Sequence, residues 1–376
     1  MDYIRYLVLA GGILTALFFN VSSATPGHAA SASPESCKLT GELRPYCGVP
    51  FPEDLEPIPG THSVIASDMH LKAGPTGIEP QPGVLKLVDL ENGMVTPLYP
   101  AVSTARGRLG WGDPACTQEI GKALLPHGIH LSRRQDGAWQ LLVVNHGSRE
   151  SVEFLELLPR GKRWFARWRG CVVAPASSHL NDVAALPGGG FLVSTMHMGN
   201  SAATREAASR AAKGENTGFL WRWSPGSMIA RQPGSDTPMP NGVQVDHAGR
   251  YAYINTASQG GDVRKLDLAS GQVVATVAVP NPDNASWTMT GRLLVGGVAA
   301  GPKPMACFAD PAAPCPVPSE VYEIDVKAMT AQRIFAHTGA PLNAATVAVQ
   351  ADDDLLIGSC FGNSFVAVKG VFRADE

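Results

Sequence analysis

From about residue 60 to the C-terminus, short apolar or alternating runs come in pairs, each bounded by Gly, Asp or Asn. HSVIAS (62–67) precedes VLKLVDL (84–90), and WQLLVVN (139–145) precedes VEFLELL (152–158). FLVST (191–195) precedes GFLWRW (218–223), and YAYINT (251–256) precedes VRKLDL (263–268). RLLVGG (292–297) precedes EVYEID (320–325), and DLLIGS (354–359) precedes SFVAV (364–368). Runs of this length and period are strands. Turns such as Asp89-Leu-Glu-Asn-Gly93 and Asp267-Leu-Ala-Ser-Gly271 punctuate them. The same strand–turn grammar six times over predicts an all-β, six-bladed β-propeller, closed so that no long sheet edge is exposed. A parallel α/β fold needs amphipathic helices between strands, and one helical stretch alone stands out, Ala202–Lys213, inside the third repeat. It reads either as a lid over one mouth or as a solvated helix without a role. The expected ring is residues 60–376, with the Pro-rich segment 33–59 leading into it towards the axis.

In a propeller the innermost strand of each blade lines a central channel, so equivalent positions far apart in sequence converge. Four such positions carry oxygen donors, three of them in adjacent pairs: Glu53-Asp54, Asn181-Asp182, Asn241, and Asp283-Asn284. Calcium takes six to eight oxygens from carboxylates, amides and backbone carbonyls. Glu53, Asn181, Asn241, Asp283 and Asn284 supply five side-chain oxygens and two negative charges. Taken singly, Asx residues before strands are ordinary turn formers. Two histidines, His127 in LLPHGIHLS and His146 in VVNHGSRES, flank one strand and can meet as antiparallel neighbours. A neutral imidazole held by another can take a proton from water. The bland alternative is one structural and one exposed histidine. Known nucleophile and nucleotide motifs do not occur.

Composition narrows the setting. The net charge of -3, without a Lys/Arg-rich run, gives no footprint for nucleic acid. Forty Gly and thirty Pro suit short strands and many turns. Residues 1–32 differ: Arg5, an apolar run from Tyr6 to Val21, then small residues ending Ala30-Ser31-Ala32. This is the pattern of a secretory signal, or else of an uncleaved anchor, and either places the rest of the chain outside the cytoplasm. Membrane association is then expected only through that segment. Seven cysteines fit an oxidising compartment. Cys37/Cys47 and Cys307/Cys315 are short-range candidate pairs, Cys116, Cys171 and Cys360 remain, and connectivity stays open. The cysteine and histidine spacing offers no zinc site.

The blocks PEDLEPIPG, LLPHGIHLS, WQLLVVNHGSRESVEFLEL, LNDVAALPGGGFLVSTMH, PNGVQVDHAGRYAYI and PDNASW occur in one order over roughly residues 50–300, and LLIGSCFGNSFVAV follows. Together they resemble the paraoxonase (arylesterase/lactonase) family of calcium-dependent propeller hydrolases. The resemblance implies two calcium ions. Glu53, Asn181, Asn241, Asp283 and Asn284 match the ligands of a catalytic ion. Asp54, Asp182 and the backbone carbonyl of Ile129 match a buried structural ion. His127 and His146 match a water-activating dyad, and His197 a histidine of the substrate pocket. The expected substrate is a small lactone or aryl ester. Two departures stand out. The family's disulfide to its last strand has no match, since Ala367 occupies that place, and Cys360 with Cys37 or Cys47 is the substitute to look for. The fifth blade has a short Trp287–Gly291 turn, with Val298 near the place of a further pocket histidine. Alternative readings are a gluconolactonase- or strictosidine-synthase-like enzyme, and a calcium-stabilised propeller that only binds.

Overall fold

The computed structural model describes residues 37, 39–74, 77–100, 111–161, 163–199, 203–258, 260–299 and 317–373. Six antiparallel four-stranded sheets make up the ring. From the axis outwards, the first blade is Pro52–Pro57, Ser63–Asp68, Leu85–Asp89 and Val95–Tyr99. The second is Pro126–Arg133, Trp139–Asn145, Ser151–Arg160 and Arg163–Val173, and the third is Ser178–Ala185, Phe191–Met198, Phe219–Trp223 and Ala230–Arg231. The fourth is Pro240–Val245, Tyr251–Thr256, Asp262–Asp267 and Gln272–Ala278. The fifth is Pro282–Trp287, Leu293–Val298, Pro318–Asp325 and Thr330–Thr338. The sixth takes Ala345–Ala351, Asp354–Ser359 and Ser364–Val368 from the C-terminal end and Leu43–Cys47 from the N-terminal end. The six first strands neighbour one another in a closed circle.

The pairs read from the sequence are the second and third strands of every blade. They are legible because each blade is sandwiched between two others and is apolar on both faces. Leu141 and Val143 face the first blade's Ile65 and Leu85, whereas Leu142 and Val144 face the third blade's Val183 and Phe191. The same alternation divides Leu293 and Val295 from Leu294, and Leu355 and Ile357 from Leu356. The side-chain period of two thus builds six inter-blade cores.

The ring boundary expected at residue 60 moves. Pro52–Pro57 is already the inner strand of the first blade, and Leu43–Cys47 pairs in register with Ser364–Val368, Arg44 opposite Ala367. Backbone hydrogen bonds close the circle at the last strand, where Ala367 leaves the family's disulfide without a match. Tyr46 stacks on Phe365 with centroids 5.0 Å apart, and Tyr46 Oη donates to the Leu90 carbonyl of the next blade. Cys37 bonds to Cys47, and Cys116 bonds to Cys171, tying the segment before the second blade to that blade's outer strand. Cys360 is a free thiol, so its expected pairing with Cys37 or Cys47 is not formed. Cys307 and Cys315 lie outside the described residues, as does the candidate signal or anchor. Among the described residues no helix is long and apolar enough to cross a membrane. The helix inside the third blade is Thr204–Ala211, and its Ala207 and Ala211 pack on Met239.

Candidate functional site

All six inner strands carry a register irregularity at equivalent positions. Leu180 pairs with Thr195 but Val183 with Val193, which leaves Asn181 and Asp182 in a bulge. Pro126/Ile129, Pro240/Val243, Pro282/Ala285 and Ala345/Ala348 bracket the same step, and the first blade shows it between Pro52 and Asp54. Bulges re-aim side chains. Here they hold Glu53, His127, Asn181, Asn241, Asp283-Asn284 and Thr346. The candidate ligands therefore sit within the inner strands rather than in turns before them. Two bulges contain glycine for a packing reason. A Cβ on Gly128 would lie 2.6 Å from the Asn181 carbonyl, and one on Gly242 would collide with the Asp283 carbonyl of the next blade.

These residues touch around the ring. Asn284 Nδ2 donates to Glu53 Oε1 at 2.7 Å, and Thr346 Oγ1 donates to the Glu53 carbonyl at 2.6 Å. His127 Nε2 stands 3.6 Å from Glu53 Oε1 and 3.4 Å from Asn181 Nδ2. The Asn241 amide bonds to Asp283, and Asn255 Nδ2 donates to the Asp283 carbonyl. In Asn181, Asn284 and Asn255 the amide nitrogen is engaged while the carbonyl oxygen is buried with no donor. Asn241 Oδ1 and Glu53 Oε2 are orphaned in the same way. Buried acceptors without donors are costly and uncommon. Several together could serve as oxygen donors to a hard cation.

The charges agree. Glu53, Asp54 and Asp182 are buried, Asp283 partly so, and none pairs with Lys or Arg among the described residues. Burial pushes the Glu53 carboxyl up to about 7. Burial, and then the neighbouring Glu53 charge, holds Asp54 and Asp283 well above the ordinary carboxylate range. Asp182 is raised by burial and then by Asp54. Burial disfavours the ionised form of all four carboxyls, a neighbouring carboxylate adds to it at Asp54, Asp182 and Asp283, and a divalent cation would relieve both. Among the described residues no three His, Cys, Asp or Glu side chains group as metal ligands, so the fit rests on this amide-rich set.

Asp54 and Asp182 make a second layer. Asp54 accepts from the N–H groups of Leu55 (2.8 Å) and Ile129 (2.6 Å), and Asp182 from those of Val183 (2.7 Å) and Val243 (2.8 Å). Each carboxylate thereby ties its blade to the next. Ile129 meets Asp54 through its N–H, whereas the resemblance concerned its carbonyl.

The histidines form a row. His127 Nδ1 and His146 Nε2 are 2.9 Å apart, and His146 Nδ1 lies 2.9 and 3.1 Å from the two oxygens of Glu150. His179 stacks near His146 with centroids 5.8 Å apart and on His197 at 4.6 Å. His197 is buried and bonds Thr204 of the helix through Nε2. Burial lowers His127 to about 4, and burial with its imidazole neighbours lowers His179 to about 3, so both rings are neutral at pH 7. Glu150, His179, Asn255 and Thr346 were missed in the sequence. Each is a common residue type in a loop or strand, and only the spacing of Glu150, four residues after His146 in NHGSRE, hinted at a partner.

A cavity of about 930 Å³ opens at the opposite mouth between Glu56, His130, Gln244, His247 and Trp287. It contains none of Glu53, His127 and His146. Trp287, at the start of the short fifth-blade turn, lines this cavity instead of the cluster around Glu53.

The family model described as arylesterase matches residues 51–367. No curated protein matches the chain. A solved gluconolactonase from Xanthomonas campestris aligns over 87% of this chain and 89% of its own at 13% identity, with a TM-score of 0.50. The hydrazine synthase of Kuenenia stuttgartiensis aligns over 83% and 74% at 17% identity, with a TM-score of 0.45. At such identities the gluconolactonase likeness is one of fold.

Proposed function

Because this chain belongs to the arylesterase family, we propose that it is an exported, calcium-dependent hydrolase that opens lactones or cleaves aryl esters. The observation that carries the reading is the set of orphaned oxygens on Glu53, Asn181, Asn241 and Asn284, beside the His127 imidazole. Glu53, Asn181, Asn241, Asp283 and Asn284 would hold the catalytic calcium. Asp54, Asp182 and the Ile129 carbonyl would hold a second, structural ion. A bound calcium supplies positive charge that draws an ester or lactone carbonyl oxygen and eases the charge developing there.

The chain's own part is proton handling and positioning. The neutral His127 takes a proton from water as the water oxygen attacks the carbonyl carbon. The carbonyl–oxygen bond of the ester then breaks, and the departing oxygen recovers the proton from His127. His146 holds the ring that does this, and the Asn181 amide at 3.4 Å bears on the same nitrogen, Nε2. A positioned base of this kind is worth roughly 10²–10⁴-fold in rate. His197, which bonds Thr204 of the helix, would line the substrate pocket.

Two disulfides suit an oxidising compartment, in keeping with export. The expected partner is a small ester or lactone rather than nucleic acid, and any membrane contact runs through the N-terminal segment. The test is hydrolysis of phenyl acetate and a panel including aliphatic lactones and aldonolactones, before and after chelation, with circular dichroism followed in parallel. Loss on chelation and recovery with calcium, while the fold persists, supports the reading. Full activity in chelator, or none on any panel member with calcium present, overturns it. Turnover of aldonolactones alone would move the substrate class to sugar lactones.

A further inference from the structure

We propose that Glu150 is a positioning residue, the carboxylate end of a Glu150–His146–His127 relay that leaves His127 Nε2 without a proton where it faces Glu53 and Asn181. This rests on the hydrolase reading above and extends it to a residue outside the dyad.

The argument is one of donors and acceptors. An ionised carboxylate can only accept, so His146 Nδ1, between both Glu150 oxygens at 2.9 and 3.1 Å, carries a hydrogen. A neutral His146 then has a bare Nε2. That nitrogen, 2.9 Å from His127 Nδ1, must accept, which places His127's hydrogen on Nδ1. His127 Nε2 is left with its lone pair. The Asn181 amide, whose nitrogen is 3.4 Å from Nε2, can only donate and requires the same tautomer. Without a carboxylate the chain could run in reverse, and His127 would present N–H where a base is needed.

The loop that carries Glu150 is built to hold it. Asn145, fully buried, accepts from the N–H groups of Leu125 and Gly147 and donates to the Arg149 carbonyl and Ser151 Oγ. The His146 N–H bonds the Leu125 carbonyl, and the Glu150 carbonyl accepts from Ala174 N. A Cβ at Gly147 would strike the Ala123 carbonyl. Arg149, the nearest cation in sequence, is turned away to Glu153, which also receives Trp168 Nε1. The Glu150 carboxylate is thus left to His146 and, through Oε2, to the Leu180 N–H of the third blade at 3.5 Å. During turnover the water proton passes to His127 Nε2, and the positive charge that forms is shared through His146 with Glu150. The proton leaves with the product oxygen, so the relay ends as it began.

The experiment compares the calcium-loaded wild type with Glu150→Gln, Glu150→Asp, His146→Gln and the Glu150→Gln/His146→Gln double variant. A glutamine amide can donate as well as accept, so it frees the tautomer. Glu150→Gln is expected to lower kcat roughly 10- to 100-fold, part of what a positioned base contributes, with KM, melting temperature and calcium content unchanged. Glu150→Asp should recover part of the loss. The double variant should be no worse than the more impaired single one, since the two act as a unit. Wild-type kcat in Glu150→Gln, multiplying losses in the double variant, or a loss that tracks calcium content overturns the proposal. Nitrogen-15 spectra of the histidines separate this from failure of the hydrolase reading. Hydrogens on Nδ1 of both rings, lost as a single tautomer in Glu150→Gln, support the relay even if no panel substrate turns over. Hydrogens on Nε2 in the wild type refute it.

Discussion

Among single residues, the asparagines separate the candidate site from ordinary strand chemistry. An Asn in a turn normally spends its oxygen on a backbone N–H. Asn181, Asn241, Asn255 and Asn284 leave theirs buried and unpaired. The sequence picked out Asn181, Asn241 and Asn284 by their recurrence at blade positions, but it could not show which way their amides point. If those oxygens hold the catalytic ion, Asn241→Ala and Asp283→Ala should each weaken calcium binding and lower kcat/KM by at least about 100-fold, while melting with excess calcium shifts little. Calcium titration calorimetry beside the activity assay measures both. Unchanged affinity in both variants would remove these residues from the ligand set. His179 shows the opposite case. Nothing in SSHLND marks it as chemistry, and it joins the row of imidazoles only because the third blade packs beside the second.

Among elements, legibility followed apolar content. The second and third strands were readable because their side chains on both faces meet another blade. The inner strands were not, because a strand that lines a polar channel alternates carboxylates and amides with core residues, as PEDLEP and SHLNDVAA do. Outer strands such as Gln272–Ala278 are largely exposed and lose their apolar signal. The inner-strand bulges also set a steric limit. Gly242→Ala would drive a methyl group into the Asp283 backbone, and overpacking of this kind costs about 1–3 kcal/mol. Denaturant unfolding should show that loss, and calcium affinity should fall with it, because the backbone displaced is the one that carries Asp283 and Asn284. A stability equal to wild type would mean that the neighbouring blade yields freely.

At the scale of the whole molecule, the ring is closed by a strand from the other end of the chain. Leu43–Cys47 completes the sixth blade and covers the edge of Ser364–Val368, with Tyr46 reaching across to the first blade. Removing residues 1–48 should expose that edge and take away the Tyr46–Phe365 stack. The expected outcome is a lower melting temperature and self-association in gel filtration. A monomeric truncation that melts like the full ring would show that closure depends on the inter-blade cores alone. The sequence by itself determined the class of the fold, because period-two apolar runs repeated six times can be buried only between sheets. It also determined which oxygen-bearing and imidazole side chains fall at equivalent places in the repeat. Only the tertiary structure decided that the circle closes through the N-terminal strand, that Cys116 meets Cys171, and that bulges turn the Asx side chains towards Glu53. It alone placed Glu150 behind His146. These are contacts between positions whose order in the chain carries no trace of their nearness, since they depend on how six blades pack around a common axis.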